Sequence, residues 1–269
     1  MKKEVENDTM GFFDHLEIFR GVLFKSLISL LMLFIAYMFL MDRLFDLIIL
    51  APCNNNFILY QWICELSNWC RLTLHLDVLP EFCSKEFNVK IININLASQF
   101  LIHMSTSFWL AFLTSLPIIL YFIWDFVKPA LYPKEKKNAE KIFILGGVLF
   151  SIGAIIGYII VFPLTLRFLI GYDLSNTIEN QLSLDSYISS FILLVVAMGL
   201  VFELPVVAML LSKFGLLTKG FLRKYRKHAI LISLILSAVI TPSGDPFTLM
   251  AVFLPIWFLY ECSIFLVKA

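Results

Sequence analysis

Ser189-Ser190-Phe191-Ile192-Leu193-Leu194-Val195-Val196-Ala197-Met198-Gly199-Leu200-Val201-Phe202-Glu203-Leu204-Pro205-Val206-Val207-Ala208-Met209-Leu210-Leu211 is a run of 23 residues with one charged side chain. As a helix it would rise about 35 Å, enough to cross the roughly 30 Å of a bilayer's hydrocarbon. Windows near Gly21–Met41, Met104–Trp124 and Ile142–Leu164 have the same length and character. Two further apolar stretches, near Ala229–Thr241 and Phe247–Val267, flank Pro242-Ser243-Gly244-Asp245-Pro246. The sequence therefore predicts an all-α membrane protein of six transmembrane helices, one polytopic domain over residues 1–269. The fifth and sixth helices are expected to be short. The fifth is the extreme case: its 13 residues rise only about 20 Å, so the bilayer must thin there or the helix must stop short of one face.

Composition points the same way. Hydrophobic residues make up 60% of the 269, 27 of them Phe, and the mean hydropathy is +0.87. A soluble domain has no use for that excess over the usual 45–50% or so, and lipid does. A net charge of +1 with no basic tail gives no reason to expect nucleic acid. The mixed-charge start, Met1-Lys2-Lys3-Glu4-Val5-Glu6-Asn7-Asp8, runs into an apolar stretch too long for a cleaved signal, so no removable targeting segment is expected.

Placement of the basic residues sets the orientation. In a six-span chain the N-terminal segment 1–20, the loops 125–141 and 213–228 and the C-terminus share a side, and they hold most of the Lys and Arg. Loops 42–95 and 165–187, on the other side, hold only Arg43, Arg71, Lys85, Lys90 and Arg167. Both termini are thus expected in the cytoplasm of a cell whose inner membrane the chain spans. Loop 42–95 is long enough to form an outer cap, and Phe57-Ile58-Leu59-Tyr60-Gln61-Trp62-Ile63 within it is amphipathic and aromatic, as an interfacial segment would be. Cys53, Cys64, Cys70 and Cys83 all fall in this loop, where disulfides can persist. Four cysteines allow three pairings, and the sequence does not choose among them. Loop 165–187 is acidic at Asp173, Glu179 and Asp185.

Two places concentrate polar chemistry. Trp124-Asp125-Phe126-Val127-Lys128-Pro129-Ala130-Leu131-Tyr132-Pro133-Lys134-Glu135-Lys136-Lys137 is a hinge between apolar runs. Pro129 and Pro133 stiffen it by fixing φ and by excluding helix from the residue before each. Pro133 also suits the first position of the next helix, which places Glu135 near the positive end of that helix dipole. Glu135 either complements the dipole among solvated lysines or offers a socket to a guanidinium, with Phe126 and Leu131 as an apolar wall. The second place is Glu203, close to the middle of its span, where a lipid-facing carboxylate costs several kcal/mol. It must be protonated, paired or turned to a wet cavity. Pro117, Pro163, Pro205 and Pro255 lie within or at the end of spans and bend them, and bent helices can form a concave wall around that carboxylate. His103 and Gln99, four residues apart, share a helix face and read as a packed polar pair. No phosphate loop, metal spacing or nucleophile–base set appears, so neither a cofactor nor an enzymatic reaction is expected.

Four separated motifs, in order, carry a family resemblance. They are Asp14-His15-Leu16-Glu17-Ile18-Phe19-Arg20 ahead of the first span; Phe126-Val127-Lys128-Pro129-Ala130-Leu131-Tyr132 with Glu135; Phe202-Glu203-Leu204-Pro205; and Thr241-Pro242-Ser243-Gly244-Asp245-Pro246, followed by Leu254-Pro255 and Tyr260-Glu261. Together they resemble TatC, the polytopic subunit of the twin-arginine protein translocase. The resemblance implies a receptor for the twin-arginine signal peptides of folded proteins, assembling with itself and with single-span TatA/TatB-type subunits and driven by the proton-motive force. It implies signal-peptide contacts at Glu135, Phe126, Pro129 and Leu131 and at His15, Leu16, Glu17 and Arg20. It implies an intramembrane partner contact at Glu203 and structural roles for Pro52, Pro205 and Asp245. Many relatives carry the N-terminal glutamate directly before Leu-Arg, where this chain has Ile18; the one-residue shift turns Glu17 about 100° around the helix. The rival reading is a proton- or cation-coupled secondary transporter using Glu203, although the paired broken repeats expected of one are not visible.

Overall fold

The computed structural model of the chain describes residues 12–74, 89–130, 133–172, 181–213, 215–241 and 245–267; the side chains of 12–15, 66, 70, 74, 130, 133–135, 137 and 138 lie outside that description. The described residues are predominantly helical. α1 (Phe12–Leu44) runs into a π-helical turn (Phe45–Ile49) and a 3-10 turn (Ala51–Cys53), followed by the cap helix α2 (Ile58–Leu74). α3 (Ser98–Val127) ends in a 3-10 turn (Lys128–Ala130), and α4 (Pro133–Ile156) continues through a second π-helical turn (Gly157–Val161) into α5 (Phe162–Gly171). α6 (Leu184–Val201) and α7 (Leu204–Lys213) share one apolar run; α8 (Lys219–Lys224), α9 (Arg226–Ile240) and α10 (Pro246–Leu266) complete the chain.

Among the described residues, five segments are long and apolar enough to cross a membrane: the one beginning at Leu16, Ser98–Val127, Ala139–Gly171, Leu184–Lys213 and Pro246–Leu266. α9 is not among them. Its 15 residues reach only about 22 Å, in line with the short fifth helix read from the sequence. The expectation of a short sixth helix is corrected: α10 has 21 residues and rises about 31 Å. Its start lies at Pro246 because Asp245 caps it and Pro246 suits the first turn.

α6 is the centre of the core. Tyr187, Ile188, Phe191, Leu194, Val195, Met198 and Val201 are all buried, and they meet Val161, Phe162, Val252 and Ile256. α1, by contrast, shows Leu23, Phe24, Leu27, Ile28, Leu31 and Met32 on its outside, the apolar surface that hydrocarbon would cover. Several hydroxyls inside the bundle are satisfied by their own helices, although buried Ser107 Oγ has no partner among the described residues. Thr106 donates to Ile102 O at 2.6 Å, Thr165 to Val161 O at 2.8 Å and Ser237 to Ser233 O at 2.7 Å, which spares them any need for water.

α4 and α6 approach closely because glycines line their contact. A Cβ on Gly153 would lie 2.7 Å from both Met198 O and Phe202 Cβ, and one on Gly199 would lie 2.8 Å from Phe150 Cε2. Small residues let helix backbones meet where no hydrophobic effect pushes them together.

Loops 42–95 and 165–187 are joined in a way the sequence did not foretell. Ile91-Ile92 pairs in parallel with Leu182-Ser183, and Ser98 Oγ donates to Asp185 Oδ2 at 2.7 Å. The cap is also clamped from inside. Tyr60 Oη donates to the carbonyls of Pro52 (3.0 Å) and Pro163 (3.2 Å), Tyr158 Oη donates to Ile48 O at 2.8 Å, and Tyr187 Oη donates to Ile49 O. The carbonyls of Ile48, Ile49 and Pro52 belong to turns that lack regular α-helical pairing, and leaving a buried one unmet is costly. Cys53 is a buried free thiol and Cys64 is disulfide-bonded; all three two-bridge pairings require Cys53, so none of them forms, and the loop carries a bridge at Cys64 instead.

Candidate functional site

The hinge is built from three pieces. α3 carries its regular hydrogen bonding to Val127, the 3-10 turn holds Lys128, Pro129 and Ala130, and α4 opens on Pro133. Pro133 therefore occupies the helix start expected of it, and Glu135 is the third residue of α4, in the turn where backbone N–H groups have no intrahelical acceptor. The Glu135 side chain and all of Leu131 lie outside the described residues.

Aromatic contacts fix the hinge on two sides. Buried Trp124, near the end of α3, lies 5.4 Å from Phe143 of α4 between ring centroids. Half-buried Phe126 lies 5.4 Å from Phe19 of α1, with rings tilted by 55°. The first contact holds α3 against α4 just below the turn; the second pulls the N-terminal part of α1 to the turn's other flank. Pro129 is exposed between them.

That second contact brings the two motifs together. Leu16, Glu17, Phe19, Arg20 and Leu23 line one hollow on the face of α1, and Phe19 is the residue that touches Phe126. Glu17 Oε1 and Arg20 Nη2 are 3.6 Å apart, both well exposed. An exposed pair of this kind is weak, so Arg20 screens the Glu17 charge without occupying it. The His15 side chain is outside the described residues. Phe19 and Trp124 were not singled out from the sequence, since an aromatic residue in an apolar run carries no mark of its partner.

Glu203 sits at a break in the fourth apolar run. α6 ends at Val201, Phe202 and Glu203 form a turn, and α7 starts at Leu204. The expected bend is therefore not a kink within a continuous helix at Pro205. Pro205 is the second residue of a new helix, where its missing N–H removes no intrahelical bond. The carboxylate faces Gly146 of α4, where a Cβ would stand 3.1 Å from Oε2, and among the described residues buried Oε1 has no hydrogen-bond partner. A carboxylate at this depth, opposite bare backbone, can receive a donor from outside the chain.

The other assigned positions hold the frame. Pro52 is buried in the 3-10 turn, with its carbonyl bound by Tyr60. Asp245 caps α10, with Oδ2 accepting from Thr248 N at 2.8 Å. On the hinge side, Arg226 Nη2 lies 2.6 Å from Glu261 Oε2 and Tyr260 Oη donates to Leu222 O at 2.7 Å, so Tyr260-Glu261 ties α10 to α8 and α9. His103 does not pair with Gln99: its Nε2 lies 3.0 Å from Met38 O. Both line a hollow with Asp42 and Asp46, away from the hinge.

Comparison with known proteins completes the site. The family described as Sec-independent protein translocase protein (TatC) matches residues 14–255. A relative from Blattabacterium sp. subsp. Periplaneta americana, named Sec-independent protein translocase protein TatC, is 34% identical over 97% of this chain and 96% of its own. One of the same name from Aquifex aeolicus is 37% identical over 71% of this chain and 80% of its own. Among solved structures, a crystal structure of the twin arginine translocase receptor TatC superposes with a TM-score of 0.63 at 31% identity, covering 94% of this chain and 97% of that one. A second, in DDM, gives 0.66 at 31% identity, over 95% and 100%.

Proposed function

This chain belongs to the Sec-independent protein translocase family TatC, and on that premise we propose that it binds the twin-arginine signal peptides of folded proteins at the cytoplasmic face and nucleates the translocation complex. As a member of that family it is a multi-pass protein of the cytoplasmic membrane and a translocase component, not an enzyme. The proposal adds six spans with both termini cytoplasmic and a concave wall around Glu203. It adds assembly with TatA/TatB-type single-span subunits and further copies of itself, and transport driven by the proton-motive force.

The observation that carries the reading is the Phe19–Phe126 contact at 5.4 Å. It sets the N-terminal signature beside the hinge, so one visitor can touch both. Glu135 in the first turn of α4 supplies the main carboxylate and Glu17 a second. Pro129 and the Phe126 ring wall the approach, with Leu131 and His15 completing the contact and Leu16 and Arg20 bordering it. A guanidinium makes two parallel hydrogen bonds to a carboxylate. Lys134, Lys136 and Lys137 repel it at longer range, so selectivity rests on short-range geometry rather than on net attraction. Glu203, unpartnered at Oε1 among the described residues, supplies the site for a partner helix within the bilayer.

Binding of a synthetic twin-arginine peptide to the purified protein tests this reading. Glu135→Lys should cut affinity at least about tenfold, the loss of one charge-assisted contact, while the protein still inserts in the membrane. Unchanged affinity in Glu135→Lys would remove the socket.

A further inference from the structure

The cap helix α2 has two apolar faces, and the fold uses only one. Leu59 and Tyr60 are buried and Ile63 is partly buried, packing with Phe57 against Tyr158 and Leu164. On the opposite face Ile58, Trp62, Trp69 and Leu72 are 47%, 57%, 59% and 78% exposed. Their spacing of four, seven and three places them on one stripe, with exposed Glu65 in its middle. The sequence reading assigned the interfacial character to Phe57–Ile63 as a block; the structure turns Phe57, Leu59 and Tyr60 inward instead.

The contacts of α2 also fix its depth. Tyr60 donates to Pro163 O, Phe57 and Tyr158 have ring centroids 5.8 Å apart, and Arg167 stands 4.7 Å over the Tyr60 ring. Pro163 and Leu164 close the apolar run Ile142–Leu164 of the third span on the side remote from the hinge, and Tyr158 lies just before them. A helix docked there lies where hydrocarbon gives way to headgroups. α1 and the π-helical turn after it also expose apolar side chains, at Phe39 and Leu40 and at Leu47.

We propose that α2 is an interfacial anchor, lying in the outer leaflet with Ile58, Trp62, Trp69 and Leu72 among the glycerol groups and first acyl carbons of phospholipids. Tryptophan favours this layer because its ring is apolar and its N–H needs a partner. Glu65, between the two tryptophans, stops the helix from sinking further, because its carboxylate stays with the ammonium groups of zwitterionic headgroups. The cap is thereby held from two sides, by the tyrosine bonds within and by lipid without.

The full chain, reconstituted in phosphatidylcholine vesicles, tests this. Subtracting the tryptophan emission of Trp62→Phe/Trp69→Phe from that of the parent isolates the two anchor residues without touching buried Trp124. The isolated emission should fall by roughly half with lipids brominated at the upper acyl carbons, as interfacial depth requires, and should resist iodide in the water. Quenching by iodide with no effect of brominated lipid would overturn the proposal by placing the stripe in water. Protection from both quenchers would equally overturn it, assigning the stripe to a second copy of the chain.

Discussion

Three tyrosines do at the residue scale what no regular element can. Tyr60, Tyr158 and Tyr187 come from the cap, the second π-helical turn and α6, and donate to the carbonyls of Pro52, Ile48 and Ile49, which lie in turns without α-helical pairing; Tyr60 also reaches Pro163 O. Tyr187 is 1% exposed, so no solvent can replace its proton. Tyr187→Phe should therefore destabilise the detergent-solubilised protein by about 1–3 kcal/mol, measured as a lowered midpoint of thermal unfolding. A Tyr187→Phe midpoint equal to the parent's would show the Ile49 carbonyl to be satisfied elsewhere. These bonds were illegible in the sequence, because the Tyr187 donor and the Ile49 acceptor stand 138 residues apart and leave no periodic trace. Pro133 was legible, since its preference for the first turn of a helix is local. Glu135 inherited its place near the start of α4 from that same local rule.

At the scale of elements, the packing of α4 on α6 decides where Glu203 stands. Gly153 and Gly157 face Met198, Val195 and Leu194, and Gly146 faces the Glu203 carboxylate, so one glycine face of α4 serves both close packing and an open acid. Gly153→Ala puts a methyl group 2.7 Å from Met198 O and Phe202 Cβ, which forces α4 and α6 apart. The expected cost is about 1–3 kcal/mol, read from thermal unfolding; a gain in stability, as for an alanine with room in a helix, would contradict the seam. Hydropathy located these spans because lipid tolerates only backbone that is paired within itself. It missed the π-helical turns and moved the break at Phe202-Glu203 onto Pro205, because it reads composition and not hydrogen-bond register. Phe19 and Phe126 were likewise separate aromatic residues until α1 and α3 were seen side by side.

For the whole molecule, span lengths are uneven in a way that bears on transport. α9 reaches about 22 Å, some 8 Å less than the hydrocarbon, while α10 beside it is long and apolar enough to cross it. The buried residues of α9 are Ser233, Ser237 and Ile240, and its outer face shows Leu231, Ile232, Ile235 and Val239, a short apolar surface that a bilayer would meet by thinning. Inserting one turn of leucines in α9 should lower transport of a twin-arginine cargo in cells severalfold while leaving peptide binding unchanged; full transport would sever bilayer thinning from function. The central claim, that an acid in the first turn of α4 receives guanidinium groups, is tested most directly by a photoreactive residue at position 136, beside Glu135. A twin-arginine peptide should crosslink there, and the same peptide with both arginines changed to lysine should not, because an ammonium cannot reproduce the paired hydrogen bonds. Equal crosslinking of the two peptides would contradict the account.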